Sequence, residues 1–162
     1  MKVFSRIVAI VFVTGYGLFM SADSASAATR TWSGTTSTSW SVSTNWVEGS
    51  VPTSADDVII NTAATNQPIL DLSGGAVTIT SLSLGSSAVS TLTLSNGDTS
   101  TKKLVTTADV SIGGSGTLTH TANGATQVHS LFVEVGGNMT IAVGGKIDVT
   151  GKGFAGGALS QW

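Results

Sequence analysis

The residues able to do chemistry are few and scattered. The two histidines, His120 and His129, stand well apart in the chain, and there is no cysteine. A zinc site needs three or four convergent ligands, and neither the number nor the spacing of these groups supplies them. Both histidines are therefore expected as solvated side chains on Thr- and Ser-rich strands. Some β-solenoids hold calcium through G-G-x-G-x-D nonapeptides. Gly113-Gly-Ser-Gly-Thr-Leu118 carries the glycines but has Leu118 where the aspartate belongs, and no second nonapeptide follows. No metal and no cofactor is expected.

Acid–base catalysis on an extended β-surface would need carboxylates gathered on one face. The candidates are Asp71, Asp98, Asp109, Glu134 and Asp148. An internal similarity aligns Val110 with Val133, and stacking the chain at that offset sets Asp109 level with Phe132 and Ser111 level with Glu134. No acidic column forms. Asp56 and Asp57 are adjacent, and on a strand they point to opposite faces. No catalytic residue is assigned and no enzyme is expected. Past Ala27 the basic residues are Arg30, Lys102, Lys103, Lys146 and Lys152, and the acidic residues outnumber them. Nucleic acid would need clustered cations to neutralise phosphates, and an anionic lipid surface would need a polybasic patch. Neither partner fits this charge pattern.

The tryptophans offer a different chemistry. Trp32, Trp40 and Trp46 fall within one short segment, and an exposed row of indoles could stack on sugar rings. Trp40 and Trp46 are the ligand-binding candidates on that reading. The competing reading is that the indoles plug the open end of a repeat stack, which otherwise exposes a large apolar patch. An indole buries much apolar area while its N–H reaches a polar partner, and capping is the favoured role.

The elements that would hold these residues follow from the patterning. Lys2 and Arg6 precede an apolar stretch from Ile7 to Met20, and Ala25-Ser-Ala27 closes a small-residue segment. That order is the signature of a secretory signal peptide, 1–27. The apolar stretch is too short to span a bilayer, which takes about 20 residues. The mature chain, 28–162, is expected outside the cell or at its surface, with no stable membrane span. A Trp-rich cap, 28–56, is punctuated by Gly34, Gly49 and Pro52. Over 57–153, apolar and polar residues alternate with a period of two, and no window shows a helical period. A glycine-rich tail follows at 154–162. The fold class is all-β.

Two architectures compete. Val110–Thr119 aligns with Val133–Ala142, keeping Val, Gly, Gly and Thr, and Leu82–Ser87 with Thr91–Thr93 is a looser third copy. Repeats of about 20 to 30 residues, built from short strands, suit a parallel β-helix of about four or five coils. Gly-Gly at the same place in each copy suits a corner with positive φ. Against this, Asn96-Gly97 and Asn123-Gly124 sit between alternating residues, the signature of tight hairpins. Hairpins would make an antiparallel β-sandwich.

The pattern Trp32-Ser-Gly, Trp40, Asn45-Trp46, Gly49, Pro52 and Asp57-Val-Ile-Ile60 resembles the start of large bacterial secreted proteins. These are autotransporter-type passengers and surface adhesins. Gly144-Gly-Lys-Ile-Asp-Val-Thr-Gly-Lys-Gly-Phe-Ala-Gly-Gly157 is similar to a motif such proteins carry before a glycine-rich insertion. The resemblance touches about a third of the chain and implies a right-handed parallel β-helix with a structural or adhesive role. It also implies an extracellular glycan or a host or cell surface as partner. The alternative is a carbohydrate-binding module or a lyase- or glycosidase-like one. The chain stops soon after the second motif, so it reads as an N-terminal piece or a shortened member. Its last coil would then be uncapped and open to self-association. Exported protein should begin at Ala28, and N-terminal sequencing that finds Met1 retained would remove the signal peptide from the reading.

Overall fold

The computed structural model describes residues 27–98 and 100–154. The segment before Ala27, expected as a signal peptide, and the tail beyond Phe154 lie outside the described residues. Twelve short strands run through the described residues: β1 (Thr29–Thr31), β2 (Asp57–Ile60), β3 (Ile69–Asp71), β4 (Val77–Ile79), β5 (Ser81–Leu84) and β6 (Ser90–Ser95), then β7 (Leu104–Thr106), β8 (Val110–Ile112), β9 (Gly116–His120), β10 (Val133–Val135), β11 (Met139–Ile141) and β12 (Lys146–Ile147). They form three sheets ordered β1-β2-β5-β8-β11, β4-β7-β10 and β3-β6-β9-β12, and every strand pairing in them is parallel. From β2 onward, successive strands visit the three sheets in turn. The chain is a β-solenoid of about four turns, and the antiparallel sandwich is excluded.

Register is set by what points inward. Ile60, Leu84, Ile112 and Ile141 stack in one column, and Leu92, Leu118 and Ile147 in another. A third column runs Val77, Leu104 and Val133. A one-residue slip would turn every such side chain to the outer face, so the apolar columns hold the pairing. Burial falls along each column. Ile60, Leu84 and Ile112 are fully buried, as are Leu92 and Leu118, whereas Ile141 and Ile147 are 45 and 42 % exposed. Val133 and Val135 are half-buried and Val149 is exposed. The sequence pattern marks these last residues as core. They occupy core positions, but among the described residues no coil stacks on β11 and β12.

The stacking offset also differs from the internal similarity. Asp57 lies beside Ser81, Leu82 beside Val110, and Val110 beside Met139, so each coil is longer than the step from Val110 to Val133. Val133 instead pairs with Leu104 in another sheet. The Gly-Gly pairs serve close approach instead of positive φ, which Gly113, Gly114, Gly136 and Gly137 do not adopt. A Cβ on Gly113 would sit 2.5 Å from the Gly85 carbonyl oxygen of the coil before it. Gly85 itself has φ 64°, and a Cβ there would meet the Gly116 backbone. Only glycines let stacked corners come this close.

Neither Asn-Gly pair forms a hairpin. Asn96 takes a left-handed φ of 57° at a corner, after which the Asp98 carboxylate accepts the N–H groups of Lys102, Ser100 and Thr101. These bonds hold its pKa far below the ordinary carboxylate range. Asn123 closes the next corner by donating to the carbonyls of His129 and Lys152 while accepting from Val128 and His129 N–H. The dipeptides are turn formers, but here an asparagine or aspartate side chain replaces the backbone bond that a hairpin would supply. The gradient of burial makes a direct prediction. Leu118→Ala should lower unfolding free energy by about 2–5 kcal/mol, and Ile141→Ala, one coil on, by less than about 1 kcal/mol. Urea melts of the two variants check it.

Candidate functional site

The cap is the most elaborated part of the molecule. β1 extends the first sheet, and Ser39 bridges Ile69 in parallel, so the cap continues two sheets as an irregular first coil. A single turn of 3-10 helix, Ser43–Asn45, swings Trp46 back toward Trp32, with which it forms an antiparallel bridge. Trp32 and Trp46 pack edge-to-face with centroids 5.0 Å apart, and Trp40 and Trp46 likewise at 4.8 Å. Such pairs add about 0.5–1.5 kcal/mol beyond area burial. All three indoles are buried, at 1, 4 and 2 % exposure for Trp32, Trp40 and Trp46. The Trp46 indole donates to the Trp40 carbonyl at 2.9 Å and that of Trp32 to the Asn66 carbonyl at 2.9 Å.

Two polar residues, to which the sequence reading gives no such role, hold the indoles in place. Asn45 is fully buried and uses both ends of its amide. Its oxygen accepts Thr36 and Ser37 N–H at 2.9 Å each, and its nitrogen donates to Ser37 Oγ and the Ser39 carbonyl. Asp56 is 3 % exposed. Its Oδ2 accepts from Thr53 N–H and Thr53 Oγ1 at 2.8 Å each and from Arg30 Nε at 3.2 Å. Burial alone would push this carboxyl up; the Thr53 and Arg30 hydrogen bonds outweigh burial and hold it below its ordinary 3.8. Thr53-x-x-Asp56 and Asn45-Trp46 are the only signals of this network in the sequence, and their role depends on a loop closure that no periodicity reports.

Trp40 and Trp46 are thus core residues of the cap, and neither presents an open ring face. A cleft of about 330 Å³ opens beside Trp40, bounded by Ser39, Ser41 and Pro52 on the cap and by Asp71 on β3. The Asp71 carboxylate accepts from the Asn96 side chain at 2.7 Å and from Ser73 N–H at 2.9 Å, and these bonds lower its pKa. The cleft therefore presents one charged acceptor, two hydroxyls and an apolar wall.

At the opposite end His120 and His129, far from being two separate surface groups, line one cleft of about 450 Å³ with Asn123, Gln127 and Phe154. His120 is buried, because it follows Leu70 and Leu94 in an inward column, and its Nδ1 lies 2.8 Å from the Thr121 carbonyl. His129 Nδ1 accepts the Asn96 N–H at 2.9 Å. Among the described residues no three His, Asp or Glu side chains converge as a metal-holding group. The carboxylates named as candidates stay apart in the observed register: Asp71 lies beside Ser95, and Glu134 beside Val105. Glu134 pairs with Lys103 at 2.6 Å, Lys146 with Asp148 at 3.2 Å, and the Asp109 carboxylate accepts Asn138 N–H at 2.8 Å. No helix among the described residues is long and apolar enough to cross a membrane.

No protein family, curated protein or solved structure matches the chain. The pH dependence of the cap follows from its carboxylate. Because the folded pKa of Asp56 is below the unfolded one, its contribution is present above pH 3.8 and is lost as pH falls through the lower folded value. Asp148, lowered to about 2 chiefly by the Thr150 N–H, titrates in the same direction. Stability should therefore decline below about pH 4, and Asp56→Asn should flatten that decline while lowering stability at neutral pH. Urea midpoints from acid to neutral pH read both effects.

Proposed function

We propose that the chain is a non-catalytic structural or adhesive element of an exported β-solenoid, working outside the cell or on its surface. The reading rests on one observation. The indole-sealed cap and the stacked, mostly apolar columns make a stiff rod whose outward positions are mostly Ser and Thr, such as Ser81, Ser83, Thr91, Thr93 and Ser111. A rod of this kind offers extended, weakly charged, hydroxyl-rich faces, which suit spacing or contact with neutral polymers. The resemblance of the cap and the glycine-rich motif to autotransporter-type passengers and surface adhesins supports the same role, and the leader-like N-terminus supports export.

Carbohydrate binding is the second reading, favoured by the cleft where Asp71, Ser39 and Ser41 flank an apolar wall of Val51, Pro52 and Ile69 beside the buried Trp40. An apolar wall with a few convergent polar groups is the usual form of a small-ligand site, and a sugar offers matching hydroxyls and an apolar ring face. The two readings separate experimentally. Incubated with neutral and uronate polysaccharides, the exported protein should release no new reducing or unsaturated ends, and it should be retained on whole cells or polysaccharide matrices. Release of ends would overturn the non-catalytic reading. Saturable quenching of tryptophan fluorescence by oligosaccharides, abolished in Asp71→Ala, would establish the second reading over the first.

A further inference from the structure

We infer that the cleft beside Trp40 takes an N-acetylated amino sugar and reads it by its acetamido group. The inference rests on the carbohydrate reading of that cleft and names the class of sugar it holds. The first observation is an unspent donor. The Trp32 and Trp46 indoles donate to carbonyls of the chain at 2.9 Å each. The Trp40 indole makes no such bond among the described residues, and no side-chain nitrogen there is both buried and unpaired. Its N–H therefore reaches the surface although the residue is only 4 % exposed, and the opening that Trp40 lines is the cleft. Filling the cleft strips that N–H of water, so a good occupant must supply an acceptor there.

The second observation is an acceptor on the same opening. The Trp40 backbone N–H donates to the Ile69 carbonyl at 3.1 Å, and Asp71 follows two residues along β3. The Asn96 side chain and the Ser73 N–H both bond to Oδ1 of Asp71, so among the described residues Oδ2 is left to take a donor. Asp71 is the one charged residue among those lining the cleft, and it disfavours uronates, phosphates and other anions. Val51, Pro52 and Val77 supply apolar lining. One donor, one acceptor and an apolar wall call for a small neutral group of the opposite pattern. An acetamido group has it: the carbonyl oxygen accepts from the indole, the N–H donates to Asp71, and the methyl covers the wall. The hydroxyls of Ser39 and Ser41, which bond each other at 3.0 Å, remain for those of the ring. A plain hexose carries a hydroxyl in place of the acetamido group and brings no methyl to the wall. A volume of about 330 Å³ is at the small end of ligand sites, so one such sugar fills it.

Isothermal titration calorimetry of the full chain tests the proposal with trisaccharides of one linkage, built from N-acetylglucosamine, from glucosamine or from glucose. The N-acetylglucosamine trimer should bind about tenfold tighter than either of the others, the worth of one added hydrogen bond. Trp40→Phe, which keeps an apolar ring and removes the N–H, and Asp71→Ala should each remove that advantage. Asp71 is exposed, so its variant reads the same preference even where Trp40→Phe loosens the cap. Equal affinity for the N-acetylglucosamine and glucose trimers overturns the acetamido proposal and leaves the carbohydrate reading standing. Tighter binding of the glucosamine trimer does the same, since charge would then decide. Binding of none of the three overturns both. A preference that survives both substitutions puts the sugar elsewhere on the molecule and overturns the assignment to this cleft.

Discussion

Each coil of this molecule can bury its apolar side chains only against the coils beside it, and that constraint governs the rest of the structure. Parallel strands leave no hairpin to close a unit, so a single turn has neither a satisfied backbone nor a covered interior. The inward columns of Ile, Leu and Val solve both problems at once: they fix the register and cover one another. Where a further coil stacks, Leu84, Leu92 and Leu104 are wholly buried; where none does among the described residues, chemically similar residues such as Ile141 and Ile147 stand open.

Ends are therefore where the molecule departs from repetition. At the first coil three tryptophans replace the missing neighbour, and Asn45 and Asp56 satisfy the backbone that this irregular segment would leave unpaired. The polar residues there act as fasteners, which is why they are buried without being catalytic. An ion pair such as Arg30–Asp56 contributes through geometry more than through raw Coulomb attraction, since desolvation offsets much of its gain. Its value is in tying the two ends of the cap together, Asp56 to Arg30 of β1, which lies beside Val58 in the first sheet.

Much of this is legible in the residues alone, and the points where sequence and structure part have identifiable causes. Alternation of period two locates the strands from β2 to β12, and the Trp cluster locates the cap. The internal similarity misleads because it compares different faces. It lays β8 on β10 and β9 on β11, which belong to different sheets. All three faces alternate apolar residues with polar ones in the same way, as in Ser81–Leu84, Ser90–Ser95 and Val133–Val135, so local similarity cannot tell the next face from the next coil. The Asn-Gly pairs mislead because the turn chemistry is shared by hairpins and solenoid corners, and only the side-chain bonds of Asn123 and Asp98 distinguish them. The neighbours of His120 are threonines and suggest a solvated ring, whereas its place after Leu70 and Leu94 in a column turns it inward. The Asn45 and Asp56 networks show in the sequence only as Asn45-Trp46 and Thr53-x-x-Asp56, since they join residues through loops of no fixed period.

The near-constant length of each coil also bears on how such a chain acquires its structure. The step from Asp57 to Ser81 is the shortest in the first sheet beyond the cap, and that from Val110 to Met139 only slightly longer. Closing each successive loop costs nearly the same entropy, since a lengthening of that size adds only about 0.2 kcal/mol. No single closure then stands out as a bottleneck once the first turn exists. The costly event is that first turn, and the indole cluster lies there, joined by short-range contacts such as Trp46 to the Trp40 carbonyl. Assembly would thus start at the amino end and proceed like a zipper, one equal step at a time. A chain delivered amino end first, through a pore or from a ribosome, presents its segments in that same order.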